Sequence, residues 1–332
     1  MAWGPVAQRL ARLDPMEYDR CRIEEAEQLG VRVTTLDDEV EWRRANHRGK
    51  PEEKRTDLCP PEPEPWSNPV DGPELLEELV AAFQRYAVLP SGAAEVLALW
   101  TVFTHTLDAF LVCPRLIISS PDAECGKTTV LTILGALVKR PLPASNITPA
   151  AVFRAVDRVT PTLLIDEGDT FLANRQELRG ILNSGHTRAT AFVIRTVGED
   201  HDPQRFSTWA PLAVALIGTL HGTFTSRSIP IRMFRRRSDE PIELLSVADT
   251  GAWKTFEQLK RKLVRWAKDT LDALQHAKPE IPDGLHNRTA DNWRPLLAIA
   301  DQAGGHWPNR ARRIAELLAG EAREPALKVQ LL

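Results

Sequence analysis

The chain is poor in cysteine and has no close pair of them: Cys21, Cys59, Cys113 and Cys125 are scattered over 332 residues without a C-x-x-C. That spacing gives no ligand set for a zinc site and no framework for disulfides, so a reducing compartment is expected. Charge of one sign is also lacking. A formal net charge of −3 excludes a generally basic nucleic-acid coat and leaves room only for a local basic face. No uninterrupted apolar run is long enough for a membrane span, because the most apolar stretch, Val96 to Cys113, carries His105 and Asp108 inside it. The first twenty residues mix Arg9, Arg12, Asp14, Glu17 and Asp19 with apolar residues, so no signal peptide is readable and a cytoplasmic location is expected. Internal repeats and a convincing acidic triad are missing as well. What remains is an ordinary soluble composition, 43% hydrophobic and 26% charged, in a chain long enough for a main core with smaller units.

Four segments are expected: an N-terminal helical segment (1–50), a proline-rich linker or extended arm (51–74), an α/β core (75–238) and a helical lid (239–332). Seven prolines between Pro51 and Pro73 remove backbone donors and prevent helix formation there. Leu76, Leu79, Val80 and Phe83 then share one helical face, and a second helix covers about 92–110. Beyond it, strands and helices alternate. Leu116–Ser119, Thr162–Ile165, Phe192–Arg195, Leu212–Ile217 and Ile229–Phe234 read as strands, and residues 127–139, 149–156 and 175–183 as helices. Continuous apolar strands between helices predict a parallel sheet covered on both faces. After Ser238 the pattern is helical, with Phe256, Leu259, Leu263 and Trp266 on one face.

Two motifs carry chemistry. Pro121-Asp-Ala-Glu-Cys125-Gly126-Lys127-Thr128 follows a strand and opens a helix, the context in which G-x-x-x-x-G-K-[ST] cradles phosphate. Loop amides from Cys125 to Thr129 and the helix dipole would face the phosphates of ATP. Gly126 allows close approach, Lys127 supplies charge, and the Thr128 hydroxyl can ligate Mg2+. Pro121 stands where the first glycine of that pattern usually is, and its fixed φ alters the loop's entry. The second motif, Leu163-Leu-Ile-Asp166-Glu167, puts two carboxylates at the end of a buried strand. Asp166 would hold magnesium through water and Glu167 would polarise the attacking water. The pair favours ATP hydrolysis over a P-loop kinase.

With Leu212–Thr219 and Arg227, these stretches resemble the AAA+ class of ring-forming P-loop ATPases, with a RecA-like core. More closely, residues 119–129, 163–171, 206–232 and 287–313 resemble an uncharacterised ATPase/helicase domain family of phage and mobile-element primase–helicase proteins. The resemblance implies that Thr219 senses the γ-phosphate. It implies that Arg227 reaches a neighbouring subunit's nucleotide, and that Arg288 or Arg294 is a lid arginine contacting phosphate. It implies a hairpin within Thr190–Phe206 that projects into a central channel, with Arg195 and His201 on DNA. The function so implied is an ATP-driven motor on DNA, single-stranded in the first instance. It would be a hexameric replicative helicase, with a primase or another replication protein as partner. The alternative is an AAA+ regulator or loader that unwinds nothing. Further basic clusters, Arg232 to Arg237 and Lys254 to Lys268, could touch phosphates or form a solvated face.

Overall fold

The computed structural model describes residues 6, 9–10, 13–37, 40, 58–144, 147–173, 175–198, 201–220 and 222–329. The remainder of the expected N-terminal helical segment and the first part of the linker, Pro51 included, lie outside them. The chain divides into two compact units, Met1–Asp57 and Leu58–Leu332.

In the first unit, helix α1 (Pro15–Leu29) and the residues beyond it bury Leu10, Tyr18, Ala26, Leu36 and Val40 together. The Tyr18 hydroxyl donates to Asp37 at 2.8 Å, and Arg22 pairs with the same carboxylate at 3.1 Å.

The second unit is an α/β body. Its helices α2 (Gly72–Tyr86) and α3 (Ala93–His105) precede strand β1 (Arg115–Ser120) and helix α4 (Lys127–Leu137). Then come β2 (Pro141–Pro143), α5 (Pro149–Val159), β3 (Thr162–Ile165), α6 (Gly168–Ala173), α7 (Gln176–Ser184), β4 (Phe192–Val197), β5 (Asp202–Ser207), β6 (Leu212–Ile217) and β7 (Ser228–Arg232). Three long helices close it: α8 (Thr250–Gln275), α9 (Asn287–Ala303) and α10 (Trp307–Val329). Helix starts are set by capping. Asp71 accepts from the Glu74 amide at 2.9 Å, and Thr148 accepts from the Ala151 amide at 3.2 Å. Each is followed within two residues by a proline that needs no donor there.

Five strands form one parallel sheet in the order β2-β3-β6-β1-β7. Both faces are buried, and the alternation of side chains divides them. Leu116, Ile118, Leu164, Ala213, Ala215, Ile229 and Ile231 join the core under α2, α3, α4 and the three C-terminal helices. Ile117, Leu163, Ile165, Leu212, Val214 and Leu216 join a second core with α5 and α7. The helices expected as a lid thus share one core with α2, α3 and the sheet. Gly72 lies against Ala303 so closely that an added Cβ would come within 2.7 Å of its Cα. Both edge strands contain proline, Pro141 and Pro143 in β2 and Pro230 in β7, where the missing N–H is tolerated.

β4 and β5 stand apart from the sheet as an antiparallel hairpin between β3 and β6. The proline-rich arm from Leu58 to Val70 lies along α8. The Trp66 amide donates to the Arg261 carbonyl at 3.0 Å, Arg261 Nε donates to the Glu64 carbonyl at 3.0 Å, and Arg265 Nη1 donates to the Ser67 carbonyl at 2.9 Å. Arg261, Lys262 and Arg265 of α8 therefore have local work. Lys262 pairs with Glu78 at 2.6 Å, and the Arg261 guanidinium lies 5.4 Å from the Trp66 ring.

Candidate functional site

The strand order brings the two chemical motifs to one end of the sheet. β1 and β3 are parallel with β6 between them, so the Ser120–Thr129 loop, Asp166-Glu167 and Thr219 all emerge at the C-terminal ends of adjacent strands. Ligands of open α/β sheets gather there. The arrangement is tied across the strands: the Gly218 amide donates to the Ser120 carbonyl at 2.8 Å, and the Ile217 amide to Asp169 Oδ1 at 3.1 Å.

Gly126 caps α4 in the left-handed region, at φ 81°, and turns the loop into the helix. Lys127 is buried, with its ammonium donating to Ser120 Oγ and, at 3.2 Å, to the Asp122 carbonyl. Thr128 Oγ1 donates to Asp166 Oδ2 at 2.9 Å. A hydroxyl and a carboxylate so placed fit magnesium, which takes hard oxygens, one or two carboxylates and substrate phosphates. Bound there with ATP, the ion would neutralise charge on the phosphates.

Glu167 is exposed and has φ 55°, a conformation rarely held by a residue with a side chain. Its amide donates to Asp166 Oδ1 at 2.9 Å. The next residue is packed closely: a Cβ on Gly168 would lie 2.3 Å from Val214 Cγ1. The Asp166 carboxylate is held by the Thr128 hydroxyl and the Glu167 amide, while the Glu167 side chain is exposed. Thr219 is exposed just beyond the end of β6.

A cavity of about 380 Å³ opens beside the loop, bounded by Tyr86, Val88, Thr128, Phe234, Arg236 and Leu244. Cys125, Gly126 and Thr129 also line it. Its size suits a nucleotide. The side-chain walls contributed by 234–244 carry no motif in the sequence; Phe234 inside the basic run and the apolar Ile242 and Leu244 just after it are the available signal. Phe234 and Leu244 are exposed, at 63% and 83%. Arg235 pairs with Glu124 across the loop.

Arg227 is not at this end. β7 pairs with β1 so that Ser228 faces Arg115, the first residue of β1. Arg227 therefore sits at the opposite end of the sheet, separated from the loop by the length of β1, roughly 17 Å at 3.3 Å per residue. Its guanidinium donates to the Thr223 carbonyl at 2.8 Å; partial burial, and then the neighbouring Arg288, lower its pKa. Arg288 belongs to the same end, donating to Ser226 Oγ at 3.1 Å. Arg294 is exposed on α9, 3.8 Å from Asp291. Neither expected lid arginine lines the cavity beside the loop.

On the hairpin, Arg195 and Arg205 point to different faces. Arg195 donates to Glu177 at 2.8 Å and lies over Phe153, so it fastens the hairpin to α5 and α7. Arg205 faces the other way and stacks on Phe192, 3.5 Å from its centroid, beside exposed Ile194. His201 is exposed at the hairpin's tip with φ 55°.

Among known proteins, the family model described as "Protein of unknown function (DUF3631)" matches residues 232–332. An "Uncharacterized 28.9 kDa protein in xis 5'region" of Saccharopolyspora erythraea is 42% identical over 74 residues, which are 22% of this chain and 27% of that protein. The chain thus covers about a quarter of this curated relative. In structure, the A form apo structure of the NrS-1 C terminal region matches with a TM-score of 0.38 and 12% identity, covering 73% of this chain and 53% of the other. That score is below the level that defines a common fold. Among the described residues, no helix is long and apolar enough to cross a membrane.

Proposed function

We propose that the chain is a RecA-like P-loop ATPase of the AAA+ type, a magnesium-dependent ATP hydrolase whose homo-oligomeric ring works on DNA during replication of a phage or integrated mobile element. One observation carries the ATPase reading. Lys127, Thr128 and Asp166 converge at the C-terminal end of a parallel sheet, with the Thr128 hydroxyl 2.9 Å from the Asp166 carboxylate. Lys127 would hold the β- and γ-phosphates, while the amides at the start of α4 take up their negative charge. Glu167, on its strained turn, would accept a proton from the attacking water. Thr219 would sense the γ-phosphate between the two motifs. Arg227, at the far end of the sheet, supports a head-to-tail ring in which each copy completes its neighbour's site.

The DNA reading rests on the hairpin between β3 and β6, whose outer face carries Arg205 on Phe192 beside Ile194. Guanidinium and aromatic surfaces of this kind accept stacked bases of single-stranded nucleic acid. Steady-state ATP hydrolysis with and without single-stranded DNA tests both parts. Hydrolysis stimulated by DNA supports the motor. Hydrolysis indifferent to DNA points to a loader or regulator, and no hydrolysis in the assembled protein overturns the proposal.

A further inference from the structure

The loop that carries Arg227 has little packing of its own. Between Gly222 and Ser226 only Phe224 is buried. The loop's own bonds, Ser226 Oγ to the Thr223 carbonyl at 3.0 Å and Ser228 Oγ to the Phe224 carbonyl at 2.7 Å, shape it locally, so side-chain hydrogen bonds from other elements tie it to the rest of the fold. Asn292 on α9, 2% exposed, supplies two of them. Its amide nitrogen donates to the Ser226 carbonyl at 3.2 Å and to the Ser228 carbonyl at 3.5 Å, bracketing Arg227 on both sides. The amide oxygen lies 2.8 Å from His186 Nε2. Since the nitrogen half of Asn292 serves the two carbonyls, the oxygen half accepts, and His186 carries its hydrogen on Nε2. His186 is itself fixed between α7 and β4, its carbonyl accepting from the Cys113 amide at 2.8 Å. Asn183, at the end of α7, donates to Thr223 Oγ1 at 3.2 Å, and Arg288 takes the Ser226 hydroxyl.

Three separate segments thus meet on one buried amide: helix α9, the connection into the hairpin, and the Arg227 loop. We infer that Asn292, oriented by His186, is a positioning residue that presents Arg227 to the nucleotide of a neighbouring copy. The inference rests on the reading of Arg227 as an arginine acting in trans. Loss of the Asn292 side chain leaves two carbonyls and an imidazole N–H without partners and frees the loop on both sides of Arg227. A misplacement of about 1 Å can cost on the order of 100-fold in rate. Because Lys127, Thr128 and Glu167 lie at the other end of the sheet, the variant's own nucleotide site stays whole.

The test uses the full chain and four measurements: ATP affinity, kcat, assembly, and hydrolysis after mixing with Glu167→Gln subunits. Asn292→Ala should bind ATP within about twofold of the parent and lose roughly 10- to 100-fold in kcat. Mixed with Glu167→Gln subunits, which keep a well-placed arginine, it should regain hydrolysis. A general folding defect would not be repaired in this way. His186→Ala should behave alike, and His186→Gln, which keeps a donor, should restore most of the rate; these two carry the test if Asn292→Ala does not fold. Unchanged kcat in Asn292→Ala beside an inactive Arg227→Ala overturns the positioning role and leaves the trans arginine standing. Joint loss of ATP affinity and kcat without repair on mixing also overturns it. Full activity in Arg227→Ala removes the reading on which the inference rests, and the inference with it.

Discussion

Thr128 and Asp166, 38 positions apart in sequence, meet at 2.9 Å because β6 sets the spacing between the strand that precedes one and the strand that ends in the other. The contact joins the start of α4 to the end of β3. It defines where a magnesium ion could be shared between hydroxyl, carboxylate and phosphate oxygens.

Lys127→Ala should lose ATP binding, since the buried ammonium is held inside the loop by Ser120 Oγ and the Asp122 carbonyl, where it would meet phosphate. Glu167→Gln should still bind ATP and hydrolyse it about 10²- to 10⁴-fold more slowly, the range for removal of a positioned base. Equilibrium binding and single-turnover hydrolysis separate the two. Equal loss of affinity in both variants would undo the division of roles.

On the hairpin, Arg205→Ala with Phe192→Ala should reduce DNA-stimulated hydrolysis and leave the basal rate nearly intact, because these side chains form the outward face. His201→Ala, at the tip, should act in the same direction. Arg195→Ala should instead loosen the hairpin, as its guanidinium is held by Glu177 and Phe153. Affinity for single-stranded DNA reads this directly, since each stacked base is worth about 1–3 kcal/mol. Unchanged DNA affinity in Arg205→Ala with Phe192→Ala would place the DNA elsewhere.

If Arg227 serves a neighbour, diluted protein should bind ATP well and hydrolyse it poorly. Rates per subunit should rise with concentration, by as much as the roughly 10³–10⁵ attributed to a supplied arginine. Arg227→Ala should abolish that rise. A dilute monomer hydrolysing at full rate would exclude the trans arrangement.

Two buried histidines make stability fall in acid. Burial lowers the pKa of His105 to about 3 and that of His186 to about 4, from an ordinary 6.5. The unfolded chain therefore takes up protons below about pH 6.5 that the folded chain refuses until far lower pH. Their contribution is complete above pH 6.5 and is lost progressively as pH falls from there toward the folded values. For His105 alone, the loss between pH 7 and pH 5 is on the order of 2 kcal/mol. Urea midpoints of the parent and of His105→Gln at the two pH values check this. An identical pH response in both would refute it.

Much of the α/β body was legible because its strands are continuous apolar runs and its helices begin at clear caps. Thr162–Ile165 and Leu212–Ile217 emerge with the bounds read from sequence. The second hairpin strand was not, since Asp202–Ser207 alternates polar residues around a proline and gains its order from pairing with β4 and from Asp157, which accepts from the Ser207 amide at 2.8 Å. Helix α8 invited a nucleic-acid reading that its partners explain otherwise: Glu78, and the carbonyls of the arm at Glu64 and Ser67. Arg288 carried no sign of its neighbourhood. Only the tertiary fold, which returns α9 to the start of β7, places it beside Arg227.

The prolines at the two margins of the sheet limit how copies can associate. Each edge lacks at least one amide hydrogen that an incoming strand would use, which weakens any continuous ladder between two sheets. In the ring proposed above, contacts between copies would then fall to side chains on the faces and at the strand ends, which carry no backbone register. An assembly joined in that way would be able to change the angle between its members while every sheet stays intact.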